Sequence, residues 1–237
     1  MNNIGRLLVR ELRLFWLSYI GTMLFFALYS LVLSVTFEDA VAGETGASII
    51  VDMVILLFGQ ILGLGITKFN LMNLFRTDPY TRKMRVIRRL PVRTSEIAIA
   101  RVTMMLVMTA VNAVMLIVPA YLVMPGIRQA VTMTELCSLL IFIFLFGSVT
   151  GSFYVYMEIG HRARRYLEVS IVGVLLTLLA VYLLWLFDIQ LTVSLLEQAR
   201  EGYHPLLYIL ALVIAGLAVH LFLRIIIRRL DRRDYYS

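Results

Sequence analysis

Residues 168–187, EVSIVGVLLTLLAVYLLWLF, decide how the chain folds. Twenty nearly uninterrupted apolar residues, coiled as a helix at ~1.5 Å per residue, match the ~30 Å hydrocarbon core of a bilayer. Arg162, Arg164 and Arg165 stand immediately before the run. Working outward, comparable runs fall at 17–37, 47–72, 97–123, 134–157 and 205–227, and 61% of the 237 residues are hydrophobic. A soluble domain averages about half. Backbone polar groups in lipid must be paired within the segment, so these runs are expected to be helices. A β-barrel would alternate over ten-residue strands. The first run is too long for a signal peptide and lacks a small-x-small cleavage site, so it reads as a retained span. The expectation is an all-α integral membrane protein, one transmembrane domain over 1–237 with six spans.

Charge is sorted by side. Of the 22 lysines and arginines, only Arg128 and Arg200 fall outside the two termini and the 2–3 and 4–5 connections. The opposite side carries Glu38, Asp39, Glu44, Asp52, Glu135, Asp188, Glu197 and Glu201. The positive-inside bias then predicts a multi-pass chain with both termini in the cytoplasm. The net charge of +7 sits where topology requires it, so nucleic acid is not an expected partner.

Two segments outside the spans have their own pattern. In residues 4–16, Arg6, Arg10 and Arg13 recur at i, i+4, i+7 opposite Leu7, Leu8, Leu12 and Phe15. That pattern predicts an amphipathic helix in the headgroup layer; the alternative is a basic flank that continues the first span. Residues 188–204 mix Leu191, Val193, Leu195 and Leu196 with Asp188, Gln190, Glu197 and Gln198. They read as a short outer helix or a re-entrant hairpin, serving as a packing cap or a lid.

Chemistry-bearing motifs do not emerge. The three histidines, His161, His204 and His220, occupy a cytoplasmic loop, an outer loop and a span, with no metal-ligand spacing. His220 reads as a neutral, hydrogen-bonded residue near the cytoplasmic end. The one cysteine, Cys137, excludes an intramolecular disulfide. No nucleophile elbow or phosphate-binding loop occurs, so neither catalytic nor cofactor nor metal residues are assigned, and the chain is not read as an enzyme. Buried charge is expected to be nearly absent, which disfavours an ion-coupled carrier. Gln60, Thr109, Asn112 and Ser148 are the mild polar residues that could line a pathway or simply pack. Gly59 and Gly63, and Gly147 and Gly151, are four apart and permit close helix approach, within the bundle or between subunits.

The connection between spans two and three, FRTDPYTRKMRVIRRLPVRTSEIAIAR at 75–101, is more ordered than orientation demands. Asp78 and Pro79 suit a helix N-cap and first position. Tyr80, Met84 and Ile87 then form an apolar stripe edged by Arg82, Lys83, Arg85, Arg88 and Arg89, and Leu90-Pro91 ends it. Thr94-Ser95-Glu96 predicts a new helix with a hydroxyl cap and a carboxylate in its first turn, running into span three. A short helix with an apolar stripe and basic edges suits a groove on a partner or the membrane surface.

The layout, together with the phrase RRLPVRTSEIAIARV at 88–102, resembles the ABC-2 type permeases, the membrane subunits of ATP-binding-cassette exporters. Leu90, Pro91, Glu96 and Ile97 match a phrase that members carry before span three. The resemblance implies two permease chains, identical or homologous, with two ATPase subunits that bind the ATP and Mg. It implies that 79–90 is a cytoplasmic coupling helix seated in the ATPase, with Tyr80, Met84, Arg85, Ile87, Arg88 and Arg89 as contacts. The 158–168 loop, with Arg162, Arg164 and Arg165, would make a second contact. It also implies short re-entrant helices between spans five and six. The rival readings are a membrane anchor or sensor that recruits a cytoplasmic partner, and a lipid-modifying enzyme in the membrane.

Overall fold

The computed structural model describes residues 3–63, 84, 87, 91–201 and 205–232. The described residues are helices and short turns, with no strand among them. In chain order they are α1 (Asn3–Val41), α2 (Thr45–Gly59), α3 (Thr94–Val123), α4 (Pro125–Ala130), α5 (Met133–Gly160), α6 (Ala163–Leu186), α7 (Leu191–Glu201) and α8 (Pro205–Arg232). Five of them, α1, α3, α5, α6 and α8, are long and apolar enough to cross a membrane. This is the architecture of a multi-pass helical membrane protein.

One expectation changes. Residues 4–16 are not a separate helix: they are the first turns of α1, which runs unbroken for 39 residues. At ~1.5 Å per residue α1 is about 58 Å long, well beyond a ~30 Å core. The reason is local: no glycine, proline or cap residue interrupts Leu7 to Leu17, so helix propagation costs less than a bend. The second apolar run, 47–72, begins with a helix of 15 residues, α2, roughly 22 Å long. It ends in a turn at 60–63, and the remainder of the expected span, 64–72, lies outside the described residues.

Contacts align the helices. α1 and α3 form the most extensive pair, and they run parallel, since Asn3 meets Glu96 and Ser30 meets Ala120. Pro119 removes one donor from the ladder of α3; the neighbouring Ala120 N–H donates to Ser30 Oγ at 3.0 Å. α5 runs back and ends beside α8, where Arg229 Nε donates to the Gly160 carbonyl. One end of the bundle therefore gathers Asn3, Glu96, Gly160 and Arg229, and the other gathers the α4 and α7 turns. We call these the basic end and the far end.

Glycine sets the spacing at the bundle centre. A Cβ on Gly147 would stand 3.0 Å from the Gly59 carbonyl oxygen and 2.8 Å from Thr109 Cγ2. Cβ atoms on Gly63 and Gly151 would press on Met105, and one on Gly59 on Phe146. Both glycine pairs are thus occupied by neighbours within the same chain. α6 and α8 lie on the outside: of α6 only Ala163 and Val181 are buried.

Candidate functional site

Three polar constellations tie the helices together, one at each end and one between. At the basic end, Arg101 of α3 is nearly sealed from solvent. Its Nε and Nη2 donate to Glu158 Oε2 of α5 at 3.0 and 2.7 Å, and Nη1 lies 3.4 Å from Glu11 Oε1 of α1. Tyr19 Oη donates to the same Glu11 oxygen. One guanidinium thus spans two carboxylates on two other helices, the fork geometry that favours arginine over lysine. Just outside it, Asn3 Nδ2 donates to both oxygens of Glu96, at 3.1 and 3.3 Å.

The start of α3 follows from the same glutamate. Arg93, not Thr94 or Ser95, holds the N-cap position, and no hydroxyl caps the helix. Glu96 Oε2 accepts the Arg93 N–H at 2.9 Å, so the expected first-turn carboxylate alone supplies the side-chain cap. Met84 and Ile87 have helical backbone, and Met84 is 5% exposed, packed with Ile97, Val102, Val155, Ile159 and Ile226. Ile87 rests against that cluster. Within this chain, those two positions of the apolar stripe are already covered. Tyr80, Arg85, Arg88 and Arg89 lie outside the described residues. Arg162, Arg164 and Arg165 are exposed at the start of α6, where Arg164 pairs with Glu168 at 3.1 Å.

Between the ends, α2 stops in mid-bundle, and side chains of other helices take its freed groups. Asn112 Nδ2 of α3 donates to the Leu62 carbonyl at 2.6 Å. Gln60 receives Tyr154 Oη of α5 at 3.2 Å and donates through Nε2 to Thr177 Oγ1 of α6. Irregular backbone at such depth requires partners of this kind. Thr109 and Ser148 turn back onto carbonyls of their own helices, Met105 at 2.9 Å and Phe144 at 2.6 Å. All four polar candidates are buried. Asn112 Oδ1 has no hydrogen-bond partner among the described residues.

At the far end, residues 191–201 form a helix, α7, pinned at both ends. Leu191 N–H donates to Asp52 Oδ2 at 2.7 Å, and Thr192 N–H to Oδ1 at 2.8 Å. Thr192 Oγ1 donates to that same Oδ1. Asp52 of α2 thereby caps a helix 139 residues away, satisfying amide donors that a helix start leaves open. At the other end, Arg200 Nε donates to Glu135 Oε1 at 2.8 Å and Nη2 to the Ala130 carbonyl at 2.8 Å. Glu135 Oε2 accepts the Thr132 N–H at 2.7 Å, closing a capping box at the start of α5. Measured along α2, Asp52 is about 10 Å below Thr45, so α7 climbs from inside the bundle towards its rim.

These buried carboxylates correct the expectation that buried charge is nearly absent. By position Arg101 belongs with the orientation charges of the loop, yet its partners are 57 and 90 positions away in sequence. One signal does exist in the sequence: Glu11 lies on the face of α1 opposite Arg6, Arg10 and Arg13, where a lone charge calls for a partner. His220 also differs from expectation: it is exposed on α8, with no hydrogen bond among the described residues. Among the described residues no group of three or more potential ligands is placed to hold a metal ion.

The chain matches no family model, and neither a curated protein nor a solved structure resembles it at a significant level.

Proposed function

We propose that the chain is the permease subunit of an ABC-2 type exporter, joined by a second permease chain and driven by separate ATPase subunits. The observation that carries this reading is the fastening at the basic end. The Leu90-Pro91 phrase leads directly into α3, and α3 is bound to α1 through Glu96–Asn3 and Arg101–Glu11, and to α5 through Arg101–Glu158. A push delivered to the 79–90 segment is therefore transmitted to three helices together. ATP-driven closure of the partner moves that segment as a lever, and an outward path opens between the two permease chains. Met84 and Ile87 root the lever in its own bundle; the arginines at 85, 88 and 89 contact the partner, with 162, 164 and 165 second. No substrate class follows from the residues present.

The test is reconstitution. Wild-type chain purified with its ATPase should raise ATP hydrolysis, and the charge-reversed R85E/R88E/R89E variant should bind or stimulate at least tenfold less while keeping its helical content. Undiminished stimulation would refute the lever. A co-purifying partner without nucleotide-binding motifs would favour the anchor or sensor reading instead.

A further inference from the structure

The outward face of α1 holds an arrangement that neither the fold nor the coupling reading uses. Taken at i, i+4, i+7 and onward, one stripe of this helix reads Arg6, Arg10, Arg13, then Leu17, Ile20, Leu24, Leu28 and Leu31. Every one of these side chains is exposed. The buried face of α1, with Ser18, Tyr19, Thr22, Phe26 and Ser30, points the other way, into the bundle. The stripe therefore changes character once, from cationic to aliphatic, between Arg13 and Leu17. No acidic residue pairs with Arg6, Arg10 or Arg13 among the described residues, although Glu11 lies on the same helix and is engaged by Arg101. Arg6, Arg10 and Arg13 surround a shallow cleft of about 460 Å³, walled by Val9 and Leu14.

We propose that this stripe binds one anionic phospholipid of the surrounding bilayer. The phosphate sits in the cleft among the three guanidiniums, and an acyl chain lies along Leu17, Ile20 and Leu24. Two physical facts favour a lipid over a soluble anion. The cationic segment is continuous with a greasy track of matching length: Leu17 to Leu28 spans about 16 Å, close to an extended acyl chain. Guanidinium also matches phosphate geometry as a fork of donors, while its stem lies on apolar surface. The continuous α1 holds both parts in one register, which a hinged interfacial helix would not. The inference needs only that α1 crosses the membrane, and it does not depend on an ATPase partner.

A photoactivatable phosphatidylglycerol, doped into phosphatidylcholine vesicles containing the full chain, tests it. Label should fall on residues 6–24 and exceed that from photoactivatable phosphatidylcholine. Near-surface arginines each contribute about fivefold, so R6Q/R10Q/R13Q should weaken labelling on the order of a hundredfold, and R162Q/R164Q/R165Q should leave it unchanged. The wild-type label map stands alone if the first variant cannot be prepared. Label concentrated at 162–165 or 224–232, equal labelling by both lipids, or loss of label on adding inorganic phosphate would each overturn the proposal. So would a chain-to-chain adduct in place of a lipid adduct.

Discussion

A buried carboxylate is costly unless donors surround it, and Asp52, Glu135 and Glu158 each meet that condition through a helix other than their own. Removing the cation from the Glu11–Arg101–Glu158 group takes away a guanidinium that both carboxylates share. Arg101→Met should therefore lower the unfolding free energy in micelles by about 3–5 kcal/mol. Glu158→Gln should cost less, because Glu11 remains as a partner; equal losses would show that the two carboxylates do not share the guanidinium. In the middle of the bundle, Asn112→Ala strips the Leu62 carbonyl of its donor, a change expected to cost about 1–3 kcal/mol by the same measurement. Sequence shows where several of these side chains belong but not whom they meet. Asn112 and Gln60 are visible as rare polar residues in spans; their partners, Leu62 and Thr177, are set only by how the helices cross.

Among the helices, α7 illustrates what a periodic pattern can and cannot predict. Its amphipathic composition announces a short helix near the far end. Its anchors, Asp52 from α2 and Glu135 from α5, come from 139 and 65 positions away, beyond any local signal. Asp52→Ala should release the first turn of α7, a capping loss of about 1–2 kcal/mol, read as roughly 5- to 30-fold faster amide exchange at Leu191 and Thr192. No change there would mean that packing alone holds the helix. The same scale accounts for α1. Residues 4–16 have the composition of an interfacial helix, yet nothing in them stops a helix, so they continue into the span. Glycine positions separate in the same physical way. Gly147→Val must displace the Gly59 backbone or Thr109 and should cost at least ~1–3 kcal/mol. Gly216 of α8 meets nothing within 4 Å, so Gly216→Ala should stabilise that helix by roughly 0.5–1 kcal/mol.

For the whole molecule, the membrane class is legible in sequence because several nearly uncharged runs of bilayer length would be costly to leave in water. The turn that ends α2 is less so. α2 stops after 15 residues at a turn that Asn112 and Gln60 support, and hydropathy alone does not register a break that remains apolar. Most of the arginines at the basic end are ones that the positive-inside pattern leads one to expect. Arg101 is different: it is the buried pin that makes α1, α3 and α5 one unit, directly behind the loop proposed to meet the motor. Hydrolysis by the co-purified ATPase, measured with wild-type chain and with R85E/R88E/R89E, bears most directly on that account. It predicts stimulation by the wild type and at least a tenfold loss in the variant, with helical content unchanged. Stimulation that survives the charge reversal, or a partner that hydrolyses no nucleotide, would contradict it.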